Sequence, residues 1–173
     1  MYNEILILNK FETSHEKKLQ GFFGKNLIRN IKICDIYRFN TNLNKKNYSL
    51  ACELLTNPIS QHVFLPENIN HLISKFGKFS CVLEIGYLPG VTDNLGNTAA
   101  EIVCEKLKFD KNFFKINSSQ LFLLNTKNKL VLKEIAKECS NLLINKVTLE
   151  KFNEYFSKKK VTNISKVKKV NNK

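Results

Sequence analysis

The chain has 173 residues, 43% of them apolar, and 28 Lys and Arg against 15 Asp and Glu, for a formal net charge of +13. That length suits one domain or two very small ones; no apolar run approaches the roughly 20 residues that span a bilayer, and the start, MYNEILILNK, lacks the basic segment and small-residue cleavage site of a secretory signal, so a cytoplasmic protein is expected. The positive charge invites nucleic acid, but only Arg29 and Arg38 are arginine, the side chain suited to bidentate phosphate and base contacts, and seven of the lysines lie in the last 17 residues, so an AT-rich coding bias explains the excess better.

Periodicity divides the chain into alternating strands and helices. Residues 3–9 (NEILILN) read as a strand, and 14–28 as a helix with Leu19, Phe22, Phe23 and Leu27 on one face and Ser14 as its N-cap. A β-branched and aromatic strand follows at 31–40. The next helix, 47–57, turns Tyr48, Ala51, Cys52 and Leu55 to one stripe that continues to Ile59, and Pro58 stops it. A short strand at 61–65 and a connector at 66–77 lead to a second series. There, 79–87 alternates with Phe79, Cys81, Leu83, Ile85 and Tyr87 on one face. The helix at 93–108 is expected to turn Leu95, Ala99, Ile102 and Leu107 inward. A strand within 116–125, a helix at 128–144 carrying Leu132, Ile135, Ala136, Cys139 and Leu143, a last strand at 146–150 and a weak helix complete the order.

The two series share the order strand, helix, strand, helix, strand. LACELLTNPI (50–59) lies over IAKECSNLLI (135–144), and YRFNTN (37–42) over FLLNTK (122–127). Such a duplication predicts an α+β fold of two βαβαβ halves packed about a pseudo-twofold axis, each covering apolar surface that the other leaves open.

Between strand and helix of the second series stands GYLPGVTDNLGNTAAE (86–101). Pro89-Gly90 is a turn signal. Asp93 is placed to cap the helix; Thr98 and Glu101 have capping-box spacing for a start one turn later. Gly96 would let another backbone come close. No Gly-Lys-Ser/Thr follows Gly90, and Gly86, Gly90 and Gly96 do not form GxGxxG, so a tight corner is expected in preference to a phosphate cradle.

YLPGVTDNLGNTAAEIV resembles the start of the first helix in PurS-like domains, and ACELLTNPISQHVFL (51–65) resembles their other recognisable stretch. PurS is the small subunit of phosphoribosylformylglycinamidine synthase, and PurL-type enzymes carry two PurS-like copies at their N-terminus. The resemblance spans about residues 2–157, and each half keeps one signature and lacks the other. It implies two tandem PurS-like, ferredoxin-like related repeats, 1–66 and 79–157, with a connector at 67–78 and a basic tail at 158–173. It also implies a non-catalytic role in de novo purine biosynthesis: holding synthase (PurL) and glutaminase (PurQ) modules together and helping ammonia pass between them. On that reading the chain holds no cofactor, ATP and Mg belonging to the synthase partner. No catalytic or metal-binding residue is then expected, and Pro89, Gly90, Asp93, Asn94 and Gly96 are the candidates for a partner interface. A monomer in isolation is expected, with its pseudo-dimer internal.

The remaining residues fit that reading. The five cysteines have no metal-ligand spacing and are expected as free thiols, and Cys52 and Cys139, on the apolar stripes of their helices, read as small core residues. His15, His62 and His71 have no evident carboxylate partner at useful spacing. Two alternatives stay open. A basic α+β RNA-binding protein would stack bases on Tyr37 and Phe39, which share a face of IYRFN with Arg38 opposite, although no RNP1 match occurs. A small-molecule-sensing module would hold its ligand between the halves.

Overall fold

The computed structural model describes residues 2–65 and 69–158; the basic tail from 159 onward lies outside the described residues. In chain order the elements are β1 (Tyr2–Asn9), α1 (Ser14–Phe23), β2 (Asn30–Leu43), α2 (Lys45–Leu55), β3 (Gln61–Phe64), α3 (Ile69–Phe76), β4 (Cys81–Tyr87), α4 (Asn94–Leu107), β5 (Ile116–Asn125), α5 (Lys129–Cys139) and β6 (Asn145–Lys151), with a helix α6 at 152–158. The strands form a six-stranded sheet in the order β3-β1-β2-β5-β4-β6. Every neighbouring pair is antiparallel, so the architecture is α+β.

β1 lies between β2 and β3, and β4 lies between β5 and β6. The two groups of three join along β2 and β5, paired from Asn30 opposite Asn125 to Phe39 opposite Ile116. These strands are apolar on both faces, because helices cover both. On one face α2 and α4 pack over Ile5, Ile7, Tyr37, Phe39 and Ile116. On the same face, toward the other end, α1 and α5 pack over Ile31, Ile33, Leu83, Ile85, Phe122 and Leu124. On the opposite face α3 and α6 cover Leu6, Leu8, Cys34, Ile36, Val82, Leu121 and Leu123.

Several boundaries differ from the periodic reading. α1 stops at Phe23, where Gly24 takes φ 79°, a backbone angle that L side chains rarely adopt. Its N-cap is Thr13 instead of Ser14: Glu16 N donates to Thr13 Oγ1 (3.1 Å) and Thr13 N to Glu16 Oε2 (2.7 Å), a reciprocal capping box. α5 stops at Cys139, because the Asn141 side chain and carbonyl accept from Leu143 and Ile144 N and turn the chain. The connector contains α3, which lays Ile69 and Leu72 on the core.

The faces differ too. Phe22 and Leu27 at the first helix, Ile59 beyond α2, and Leu143 beyond α5 are exposed. Phe79 precedes β4 and crosses to the opposite face, where its ring lies 5.8 Å from that of Phe152. Leu95 and Ile102 are exposed because α4 meets the sheet through its small side, Gly96, Ala99 and Val103. The cause is Gly96, where a Cβ would sit 2.4 Å from the Ile116 carbonyl oxygen.

Candidate partner interface at the β4–α4 corner

β4 ends in a tight turn. Val91 N donates to Leu88 O (3.1 Å), with Pro89 and Gly90 between them and Gly90 at φ 87°, the arrangement of a type II turn. Leu88 N donates in turn to Ile144 O (2.9 Å), fixing the turn against the segment before β6.

Asp93 is the N-cap of α4, so the later start at Thr98 is not used; Thr98 Oγ1 donates instead to Asn94 O (2.9 Å). Asp93 does more than cap. Its Oδ1 accepts from Gly96 N and Ser118 Oγ (both 2.7 Å) and its Oδ2 from Ser118 N (2.5 Å), tying the helix start to β5. The five residues singled out by the sequence therefore separate. Asp93 and Gly96 are half-buried and buried and hold the corner together, while Pro89, Gly90 and Asn94 face solvent.

Beside the turn is a cavity of about 530 Å³, lined among others by Pro89, Gly90, Ser119, Lys146, Arg38 and Glu84. The last two begin a charged cluster that the sequence reading did not assemble. Arg38 Nε donates to Glu4 Oε2 (2.6 Å), and Arg38 Nη1 to Glu84 Oε1 (2.5 Å) and Ser119 Oγ (3.1 Å). Arg38 Nη2 donates to Tyr155 Oη (3.2 Å), which itself donates to Glu84 Oε2 (2.6 Å); Ser119 Oγ donates to Glu84 Oε1 (2.8 Å). One guanidinium thus links β1, β2, β4, β5 and α6. Burial pushes the Glu84 carboxyl up, but the hydrogen bond and charge of Arg38, with Tyr155 and Ser119, outweigh it and hold the group below its ordinary range. Burial also acts to lower Arg38, and the Glu4 and Glu84 charges outweigh it and raise it further. Tyr155 is pushed far up by burial and by the Glu84 charge. With donors committed to two carboxylates, a serine and a tyrosine, Arg38 is a structural clamp. Its signal in the sequence is one lone charge in each of three apolar stretches, acidic in NEILILN and CVLEIGY and basic in IYRFN.

Tyr37 and Phe39 point the other way, into the core under α2 and α4, and are not available to stack bases. Cys139 and His15 come together, Sγ to Nε2 3.8 Å, a pair the sequence did not suggest. Burial, then the Glu138 charge, raises the Cys139 thiol, and the residue ends α5, where the helix dipole disfavours a thiolate. His62 and His71 flank Phe64, and burial with the Lys75 and Lys10 charges lowers His62. Among the described residues no group of three or more His, Cys, Asp and Glu could hold a metal ion, and no helix is long and apolar enough to cross a membrane.

No protein-family model matches the chain. No curated protein matches it either.

Proposed function

We propose that this chain is a non-catalytic assembly component of phosphoribosylformylglycinamidine synthase, working in the cytoplasm. It would bridge a synthase and a glutaminase module and help shape the path of ammonia between them. ATP and Mg would bind the synthase partner. In this reading the chain is two tandem PurS-like βαβαβ repeats related by a pseudo-twofold axis.

The observation that carries the reading is the reciprocity of the packing. The first helix of each series lies beside the second helix of the other, α1 with α5 and α4 with α2. The first strand of each series is central in its group of three. One further detail supports it. Glu16 Oε1 accepts from Ile33 N (2.8 Å), one residue past the last β1–β2 pair, Leu8 with Cys34. Asp93 Oδ2 accepts from Ser118 N (2.5 Å), one residue past the last β4–β5 pair, Gly86 with Ser119. The offset that lays YRFNTN over FLLNTK also lays Ile33 over Ser118. A rigid double unit with much exposed apolar surface suits holding larger modules in register.

The test is size-exclusion chromatography of the chain mixed with the synthase and glutaminase of the same organism, with ADP and glutamine present. Co-elution is expected, weakened by Pro89→Glu or Asn94→Arg at the exposed corner. Elution of all three apart overturns the assignment.

A further inference from the structure

The sheet has two edges. β3 offers four residues, and the loop before it is fixed by Lys10 Nζ donating to Pro58 O (2.5 Å). β6 offers seven. Its ladder to β4 is bracketed by Leu88 N to Ile144 O (2.9 Å) and Phe152 N to Ser80 O (3.1 Å). Antiparallel pairs alternate between hydrogen-bonded and non-bonded positions. The even-numbered residues of β6 therefore bond to β4. Val147, Leu149 and Lys151 aim their N–H and C=O groups at the open edge, whereas the Asn145 N–H is spent on Asn141 O (2.7 Å).

We propose that β6 pairs antiparallel with the β6 of a second copy of this chain, about a twofold axis at Thr148. In that register Val147 of each copy stands opposite Leu149 of the other as a hydrogen-bonded pair, so the outward N–H and C=O groups find partners. Lys146 stands opposite Glu150 of the other copy in the closer, non-bonded position, with opposite charges together on both sides of the axis. An axis at Lys146 or at Glu150 sets like charges opposite, and an axis at Val147 or at Leu149 keeps the backbone pairing but takes Lys146 and Glu150 away from each other.

The side chains favour the same union. Val147 and Leu149 lie opposite Ile85 and Leu83 of β4, so they continue the apolar layer under α5 to the rim of the sheet. Leu149 is 47% exposed there. Tyr87, opposite Asn145 in the ladder, and Leu142 and Leu143, ahead of β6, are exposed at the same end. A seven-residue edge flanked by apolar side chains is a surface that pairs with another strand. The expectation of a monomer concerns the faces of the sheet; this edge is a separate surface, and the pairing does not depend on which modules the chain bridges. Lys158, which donates to Glu150 (2.7 Å), lies mostly in solvent and keeps that contact in the dimer.

Sedimentation equilibrium of the full chain from micromolar to submillimolar concentration tests this. A concentration-dependent monomer–dimer equilibrium is expected. Leu149→Pro removes an N–H aimed at the open edge and none from the β4 ladder, so it is expected to leave a folded monomer. Lys146→Glu and Glu150→Lys are each expected to raise the dissociation constant about tenfold, and the double reversal to restore most of that loss. A monomer at every concentration, a Leu149→Pro protein that is folded and dimerises like the parent, or charge reversals that fail to rescue each other would overturn the proposal. If Leu149→Pro unfolds, the charge reversals at Lys146 and Glu150, neither of which belongs to an apolar core cluster, decide it alone.

Discussion

The starts of α1 and α4 solve one problem with different chemistry. Each places a carboxylate where it accepts from a strand N–H just beyond the end of that strand's neighbour, Ile33 for Glu16 and Ser118 for Asp93. At α1 the carboxylate belongs to a long side chain at the third helical position, which closes a capping box with Thr13 and takes a further bond from Lys32 (3.2 Å); it is completely buried. At α4 a short Asp is the cap itself, and Gly96 brings the helix backbone against β5. The difference is one of burial. Both corners leave loop residues to solvent, Phe11, Glu12 and Ser14 at the first and Pro89, Gly90 and Asn94 at the second. The carboxylate beneath is fully buried at the first and half-buried at the second.

Breaking α4's close approach should cost most. Gly96→Val puts side-chain atoms where even a Cβ would sit 2.4 Å from the Ile116 carbonyl, with backbone on both sides of the clash. A loss of about 3 kcal/mol or more in urea unfolding is expected, as for an overpacked core site; Gly21→Val, where a Cβ meets nothing within 4 Å and glycine is the poorer helix former, should be neutral or slightly stabilising. Glu16→Ala comes next. It strands the Ile33 N–H and removes the buried partner of Lys32, for about 2–3 kcal/mol. Asp93→Ala should follow at about 2 kcal/mol, because a half-buried site lets water replace part of what Ser118 and Gly96 lose. An inverted order of the two carboxylates would show that burial does not set the difference between the corners.

A smaller effect concerns pH. Because the folded-state Glu84 carboxyl is held below its ordinary range, its stabilisation is fully present above that range and is lost as pH falls through the lowered value. Urea midpoints should therefore fall on acidification more steeply for the parent than for Glu84→Gln. The least effect is expected for Pro89→Glu and Asn94→Arg, within about 0.5 kcal/mol in thermal or urea unfolding, as for exposed positions generally. A large loss there would make the corner structural throughout.

Much of this was legible in the sequence, and what escaped it has physical reasons. Alternation and helical period located the six strands of the sheet and four of the five helices between them, because packing makes that pattern. The Pro89-Gly90 turn, the Asp93 cap and the close approach at Gly96 were also readable, since each follows from a residue's own backbone preference. Leu95 and Ile102 were misplaced because the depth of α4 is set by a missing side chain, at Gly96, and period counts only the side chains present. α3 escaped because its eight residues offer little more than two turns of pattern. The Arg38 clamp escaped because it joins residues from four strands and a helix, whose neighbourhood only the strand order decides. The candidate interface was thus half legible: which residues make the corner, though not which of them are spent in holding it.

Mass photometry of the chain mixed with synthase and glutaminase, with ADP and glutamine present, reaches the central claim most directly. The account predicts a species whose mass contains all three components and which is lost when this chain is left out. A synthase and glutaminase that assemble equally well without it, or a chain that joins neither, would contradict the account.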